Sequence, residues 1–285
     1  MTRRGLIAVS AAALLAACSR LALFNRLTPK DPGGRLAADG VAYGPDPRQR
    51  LDVYVPVKPA AGPAPVAVFF YGGNWDSGER ALYSWVGRAL ASRGFVTVIP
   101  DYRLVPAHPF PDFVDDGAAA VAKARAIVQQ YGGDPDRVAL VGHSAGAYIA
   151  VLLALDPRYL ERAGVEMRDI RAVVGLAGPY DFYPFDVPAS VAAVGQFPDP
   201  QQTQPIHFAR GDAPPLFLGH GDKDTTVALR HSTALYAAIN KLGGDVELKI
   251  YKGADHVSLI LPLSRPFRGR RPLLDDVTSF LRTKL

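Results

Sequence analysis

Cysteine is all but missing from these 285 residues, where Cys18 stands alone. One thiol can form no internal disulfide and no cysteine-based zinc site. Long apolar runs are short of membrane length: residues 6–17 give about 12 residues, where a spanning helix needs roughly 20. No Lys/Arg block or nucleic-acid motif stands out, and two of the five net positive charges sit in Arg3 and Arg4. The basic balance therefore gives no reason to expect a nucleic-acid partner. The one local cluster, Arg265, Arg268, Arg270 and Arg271, reads as a solvated loop. No repeat or second folded domain is visible. With 48% hydrophobic and 21% charged residues, the composition is that of a globular protein with one sizeable core.

The N-terminus reads as an address. Arg3 and Arg4 precede the apolar run, which ends Leu15-Ala16-Ala17-Cys18. This resembles the bacterial lipobox. The resemblance implies a signal peptide over residues 1–17, cleavage before Cys18, and acylation of that cysteine. Several acyl chains hold a soluble domain to a bilayer, because each buried CH₂ adds about 0.8 kcal/mol. Ser19, rather than Asp, follows the cysteine, which by the same resemblance implies the cell envelope, on the periplasmic face of an outer membrane. Residues 18–38, with Pro29, Pro32, Gly33 and Gly34, are expected to be a lipidated tether, and residues 39–285 the folded domain.

Within that domain, strand and helix signals alternate. Residues 51–55 alternate like a half-exposed strand, and 66–70, 95–99 and 138–141 are apolar runs suited to buried strands. Residues 79–93, 112–131, 145–155, 228–242 and 273–281 carry helical patterns, several of them stopped by glycine. Short strands are expected at 172–176, 216–218 and 246–251. This order predicts an α/β fold, a mainly parallel twisted sheet with helices on both faces. Residues 177–214 form one long irregular stretch, expected to be a lid or pocket wall.

Gly142-His143-Ser144-Ala145-Gly146 matches G-x-S-x-G between a predicted strand and a predicted helix. In that setting a sharp turn lifts the serine hydroxyl above the strand end. Serine is a poor nucleophile until a base takes its proton. Of six histidines, His256 suits the base, being late in the chain and just after a predicted strand. His143 is expected to pack away from the serine, His220 to be structural and His231 to be solvated. The acid should lie between serine and base in the chain, where Asp222 and Asp224 both follow the strand 216–218. The turn Tyr71-Gly72-Gly73-Asn74-Trp75 follows a buried strand, so that the N–H groups of Gly73, Asn74 and Ala145 can face a developing oxyanion. Trp75 is either a pocket wall or a structural tryptophan.

Together these residues resemble the α/β-hydrolase carboxylesterases, in the branch with a His-Gly-Gly-x-Trp oxyanion motif. That branch includes feruloyl-esterase-like enzymes, kynurenine formamidases and hormone-sensitive-lipase relatives. The resemblance covers roughly residues 40–285. It includes Asp101-Tyr102-Arg103-Leu104, expected to support the oxyanion loop. The fold's His-Gly-x-x-Asp pattern falls on His220 to Asp224 and selects Asp224 as the acid, leaving Asp222 to bond its own turn. The resemblance implies a serine hydrolase acting on a small-molecule ester through Ser144, Asp224 and His256, with no cofactor or metal. Tyr71 stands where the branch has histidine. An amide-type substrate such as a formamide would use the same groups, and a tethered binding protein would not need them.

Overall fold

The computed structural model describes residues 20–285. Cys18 and the rest of the expected signal peptide lie outside the described residues. The described elements are α1 (residues 20–27), β1 (Gly34–Ala42), β2 (Arg50–Pro56), β3 (Ala64–Phe70), α2 (Ser84–Ser92), β4 (Val96–Pro100), α3 (Asp112–Ile127), β5 (Gly133–His143), α4 (Ala145–Leu155), α5 (Pro157–Arg162), β6 (Ile170–Leu176), α6 (Pro188–Val194), β7 (Leu216–Gly221), α7 (Arg230–Lys241), β8 (Val246–Tyr251), α8 (His256–Ile260) and α9 (Leu273–Lys284).

The strands form one eight-stranded sheet in the order β1-β2-β4-β3-β5-β6-β7-β8. From β4 to β8 every neighbouring pair is parallel, while β1 and β2 close the other side as antiparallel strands. The central strands read as unbroken apolar runs because helices cover both faces, so neither set of alternate side chains meets water. Val66, Val68, Leu140, Val173 and Leu218 are completely buried. All eleven residues of α4 are buried, as expected for a helix apolar on every side.

Three sequence expectations need correction. Residues 20–38 are not a free tether: α1 and β1 lie within them. Leu21 and Phe24 pack against the core, and Phe24 meets the Trp85 ring edge-on at 5.5 Å. β1 pairs with β2 along its length, with register shifts between Leu36 and Val41. Pro29, Pro32 and Gly33 sit between α1 and β1, and Gly34 opens β1, so their turn signals marked a connection, not a disordered arm. Second, Arg265 and Arg270 are exposed as expected of a solvated loop, but Arg268 is engaged by the fold. It holds Asp31 with two hydrogen bonds of 2.8 and 2.9 Å, joining the N-terminal segment to the last loop. Third, residues 177–214 do wall a cavity beside Ser144 but are not irregular throughout: α6 lies within them, and Tyr180, Thr203 and Gln204 are fully buried.

Asp31 is nearly buried beneath Arg268. Asp31→Ala should cost about 2 kcal/mol, because the arginine loses a charged hydrogen-bond partner. The urea midpoint of the variant against the parent measures this, and an unchanged midpoint would show that the clasp contributes nothing.

Candidate active site

β5 ends at His143 and α4 begins at Ala145, so the chain reverses through Ser144 alone. Ser144 has φ 56° and ψ −124°, outside the regions an ordinary L-residue adopts. The turn is held by Ser144 N–H donating to the Leu176 carbonyl at 2.9 Å. It also needs room. A Cβ on Gly142 would lie 2.2 Å from the Gly146 carbonyl oxygen, and one on Gly146 2.1 Å from that of Phe70. These two glycines let α4 start against the ends of β3 and β5.

His256 is the first residue of α8, whose N-cap Asp255 accepts hydrogen bonds from the N–H groups of Val257 and Ser258. The helix aims the imidazole back at the turn. His256 Nε2 lies 2.8 Å from Ser144 Oγ, and its Nδ1 lies 2.7 Å from Asp224 Oδ2. The loops after β7 and β8 are bound to each other: Asp222 accepts from Gly253 N–H at 2.6 Å, and Lys223 N–H donates to the Ala254 carbonyl at 2.9 Å. That pairing sets the acid opposite the base. Asp222 thus bridges the two loops rather than bonding its own turn.

The Asp224 side chain is fully buried. Its Oδ1 accepts from Thr226 and Val227 N–H, each at 2.9 Å. His220 Nε2 lies 3.5 Å from Oδ2. Burial alone would raise this carboxyl, but hydrogen bonds from His220, His256 and Val227 outweigh it and hold Asp224 well below the usual carboxylate range. The carboxylate stays charged wherever histidines titrate. A charged acceptor at Nδ1 places the His256 proton there and leaves Nε2 free to accept from serine.

Facing the serine, Gly73, Asn74, Ser144 and His256 border one cavity of about 330 Å³. Ala145 is the first residue of α4, so its N–H has no acceptor four residues back. Asn74 and Trp75 have φ of 53° and 61°, a second strained turn across from the first. Tyr71, in the position of the expected histidine, stacks between Tyr83 and Tyr102 at 5.1 and 4.9 Å. Its hydroxyl donates to Asp101 Oδ1 at 2.6 Å and accepts from Arg48 at 3.0 Å. Arg80 binds Asp101 and Asp52 at 2.6 and 2.7 Å, and Tyr102 donates to the Tyr71 carbonyl at 2.9 Å. Asp101 and Tyr102 therefore do brace the oxyanion-side loop. Arg103 is bound instead to Asp116 on α3, at 2.8 Å.

A BD-FAE family model matches residues 51–239, a span that contains this turn, the nucleophile turn and Asp224. The chain belongs to the BD-FAE family, on an α/β-hydrolase fold. An isoprenylcysteine alpha-carbonyl methylesterase of Arabidopsis thaliana is 31% identical, the alignment covering 85% of this chain and 61% of that protein. Esterase LipC of Mycobacterium tuberculosis is 33% identical, over 67% of this chain and 52% of that protein. The chain thus spans about three-fifths of the first relative's length. Esterase B from Lactobacillus Rhamnosis has the same fold, with a TM-score of 0.83 at 21% identity over 98% of this chain and 94% of that one.

Three other histidines of this BD-FAE chain pack around the site. His220 is buried, with Nε2 2.9 Å from the Val227 carbonyl and Nδ1 2.7 Å from the Ser232 hydroxyl. It is structural, as expected, and also helps hold the acid. His143 lies over His256 with ring centres 4.9 Å apart and Nε2 3.1 Å from the His256 carbonyl, so it packs but stays beside the site. Burial and the His256 charge push it down to about 3. His231 is not solvated: it is 5% exposed, accepts from Asp181 N–H at 3.3 Å, and is pushed down to about 4, first by burial and then by Arg230. Sequence reasoning missed it because helix α7 reads as amphipathic, and only the 177–214 segment, folded over it, makes it inner. Trp75 is both wall and core: it lines a cavity with Ser144 and stacks on Phe113 and Phe182 at 5.8 and 6.1 Å. Among the described residues no grouping of His, Cys, Asp or Glu could hold a metal ion, and no helix is long and apolar enough to cross a membrane.

Gly146→Ala would press its new methyl group into the Phe70 carbonyl. It should lower stability by about 3 kcal/mol or more. Thermal unfolding measures it, and a melting temperature equal to the parent's would contradict the close approach described.

Proposed function

We propose that this protein is a serine carboxylesterase that hydrolyses a small-molecule carboxylic ester through an acyl-enzyme on Ser144. The observation that carries the reading is the unbroken chain of hydrogen bonds from Asp224 through His256 to Ser144. That chain opens on a cavity shared with the Gly73–Asn74 turn. The esterase names of the relatives support it.

In this reading His256 Nε2 takes the Ser144 proton as Oγ adds to the ester carbonyl. The negative charge that develops on the carbonyl oxygen is met by the N–H groups of Ala145, Gly73 and Asn74. Collapse breaks the bond to the alcohol, and His256 returns its proton to the leaving oxygen. Water then repeats the sequence on the acyl group and frees the acid. Asp224 keeps the proton on Nδ1 and stabilises the imidazolium. The protein's own groups supply every proton transfer.

The test is hydrolysis of p-nitrophenyl esters by parent and Ser144→Ala, with fluorophosphonate labelling beside it. Turnover should fall on the order of 10⁶-fold in the variant, and the label should sit on Ser144 and no other residue. A folded protein silent on every ester but active on N-formyl amides would move the reading to an amide hydrolase. Silence on both, with no label, would leave a binding role.

The pH profile is a second test. Asp224 is held ionised, and His143 and His231 are held neutral down to about 3 and 4. None of these three groups should therefore add a proton step to kcat/KM above pH 5. The profile of His231→Asn should superimpose on the parent's, and a displaced limb would count against this assignment.

We also propose that Cys18 carries acyl chains that tether the domain to a membrane of the cell envelope, on the strength of Leu15-Ala16-Ala17-Cys18 behind Arg3 and Arg4. Full-length protein should partition into the Triton X-114 detergent phase and take up a clickable fatty acid. Cys18→Ser should lose the label. A label that survives the substitution would overturn the tether.

A further inference from the structure

Two cavities meet at Ser144, and they differ in character. One, of about 350 Å³, lies under the 177–214 segment, where Arg230, His231, Asp186 and Ser190 share the lining with Trp75 and Phe182. The other is the cavity of about 330 Å³ that holds Gly73, Asn74 and His256. It does not end at the catalytic groups. Leu21, Tyr83, His143 and Val257 border both it and a larger groove of about 750 Å³. Beyond them the groove runs between Phe24 of α1, Trp85, Ile260, Leu261 and Phe267, with Arg20 as the one charged group among the described residues of its lining.

That groove is out of keeping with a site for a short ester. It has the size of a pocket that encloses a drug-sized ligand, roughly 300–1,000 Å³. Its walls are apolar, and Val257, at the junction with the catalytic cavity, is left 61% exposed. His143 carries no charge there. An apolar surface that joins the catalytic cavity at Leu21, Tyr83, His143 and Val257 and leads away along α1 is a surface awaiting a hydrocarbon. α1 is also the element that the turn-rich composition of residues 20–38 concealed.

We propose that this groove is a substrate subsite that receives the long hydrocarbon chain of an amphiphilic carboxylic ester, with α1 as one wall. The proposal rests on the esterase reading above and deepens it. The ester carbonyl sits at Ser144, the chain runs past Leu21 toward Phe24 and Phe267, and the remainder of the substrate occupies the more polar cavity beside Arg230 and His231. The chain belongs to the acyl group or to the alcohol, which the experiment separates.

The experiment compares kcat/KM for two series with full-length protein at one fixed detergent concentration. In p-nitrophenyl alkanoates from acetate to palmitate the chain is on the acyl side, and in n-alkyl acetates it is on the alcohol side. One series should rise with length, by up to about fourfold for each methylene that leaves water for the groove. Leu261→Trp, which fills the groove beyond the junction, and Phe267→Glu, which charges its far wall, should lower the long-chain member by about tenfold or more. Both should leave hydrolysis of p-nitrophenyl acetate within about twofold of the parent.

An independent readout uses the unaltered protein. 1-Dodecanol should inhibit acetate hydrolysis far more strongly than 1-butanol. Two flat series with equal inhibition by the two alcohols would overturn the proposal, whatever the folding of the variants. So would variants that slow short and long esters alike. A rise that emerges only after removal of residues 1–17 would assign the groove to the chain's own apolar N-terminal run, and the proposal would fall. Absence of hydrolysis on every ester, acetate included, is a different failure, and it sinks the esterase reading itself.

Discussion

The close approach of α4 to the ends of β3 and β5 is the constraint on which the rest of the site hangs. A helix whose whole surface is buried can start against two strand ends only if its first turn carries almost no side chain. Gly142 and Gly146 meet that demand, and the cost appears as the strained backbone of Ser144. The strain has a use. It holds the hydroxyl clear of the strand while placing the helix's first free N–H, that of Ala145, next to it. The Ser144 hydroxyl and the Ala145 N–H are thus placed by one packing decision.

Around that turn, charge is managed by burial and paired groups. Asp224 sits in the protein with four nitrogen neighbours, two from its own loop and two from histidines. A buried carboxylate is costly unless its lone pairs are satisfied, and here they are, so that it remains ionised and orients His256. On the opposite side, Arg80 between Asp52 and Asp101 and Tyr71 on Asp101 do the same for the loop of Gly73 and Asn74. Tyr71, where histidine is expected, fills the stack between Tyr83 and Tyr102, and its hydroxyl reaches Asp101, the acid that Arg80 also binds.

The apolar periodicity made the central sheet legible, because strands buried on both faces cannot be polar. The outer elements were harder to see. β1 pairs on one side only and has register shifts, so its sequence need not alternate, and α1 is too short and too close to turn residues to declare itself. Their stability comes from long-range partners, Trp85 for Phe24 and Arg268 for Asp31, which no local window contains. The burial of His231 has the same origin, since the covering segment comes from elsewhere in the chain.

By itself the amino-acid sequence determined the alternating α/β architecture, the nucleophile turn and Ser144 and His256 as groups to bring together, with Asp222 and Asp224 both offered as the acid until the family pattern selected Asp224. These are local matters: apolar runs, glycine where backbone must approach backbone, and reactive groups at strand ends. Only the tertiary structure decided that Asp222 and Gly253 bind the two carrying loops together, that His220 shares the acid, and that α1 walls an apolar groove adjoining the cavity of Ser144. Each of these depends on contacts between segments far apart in the chain, and such contacts exist only once the sheet has closed around its core.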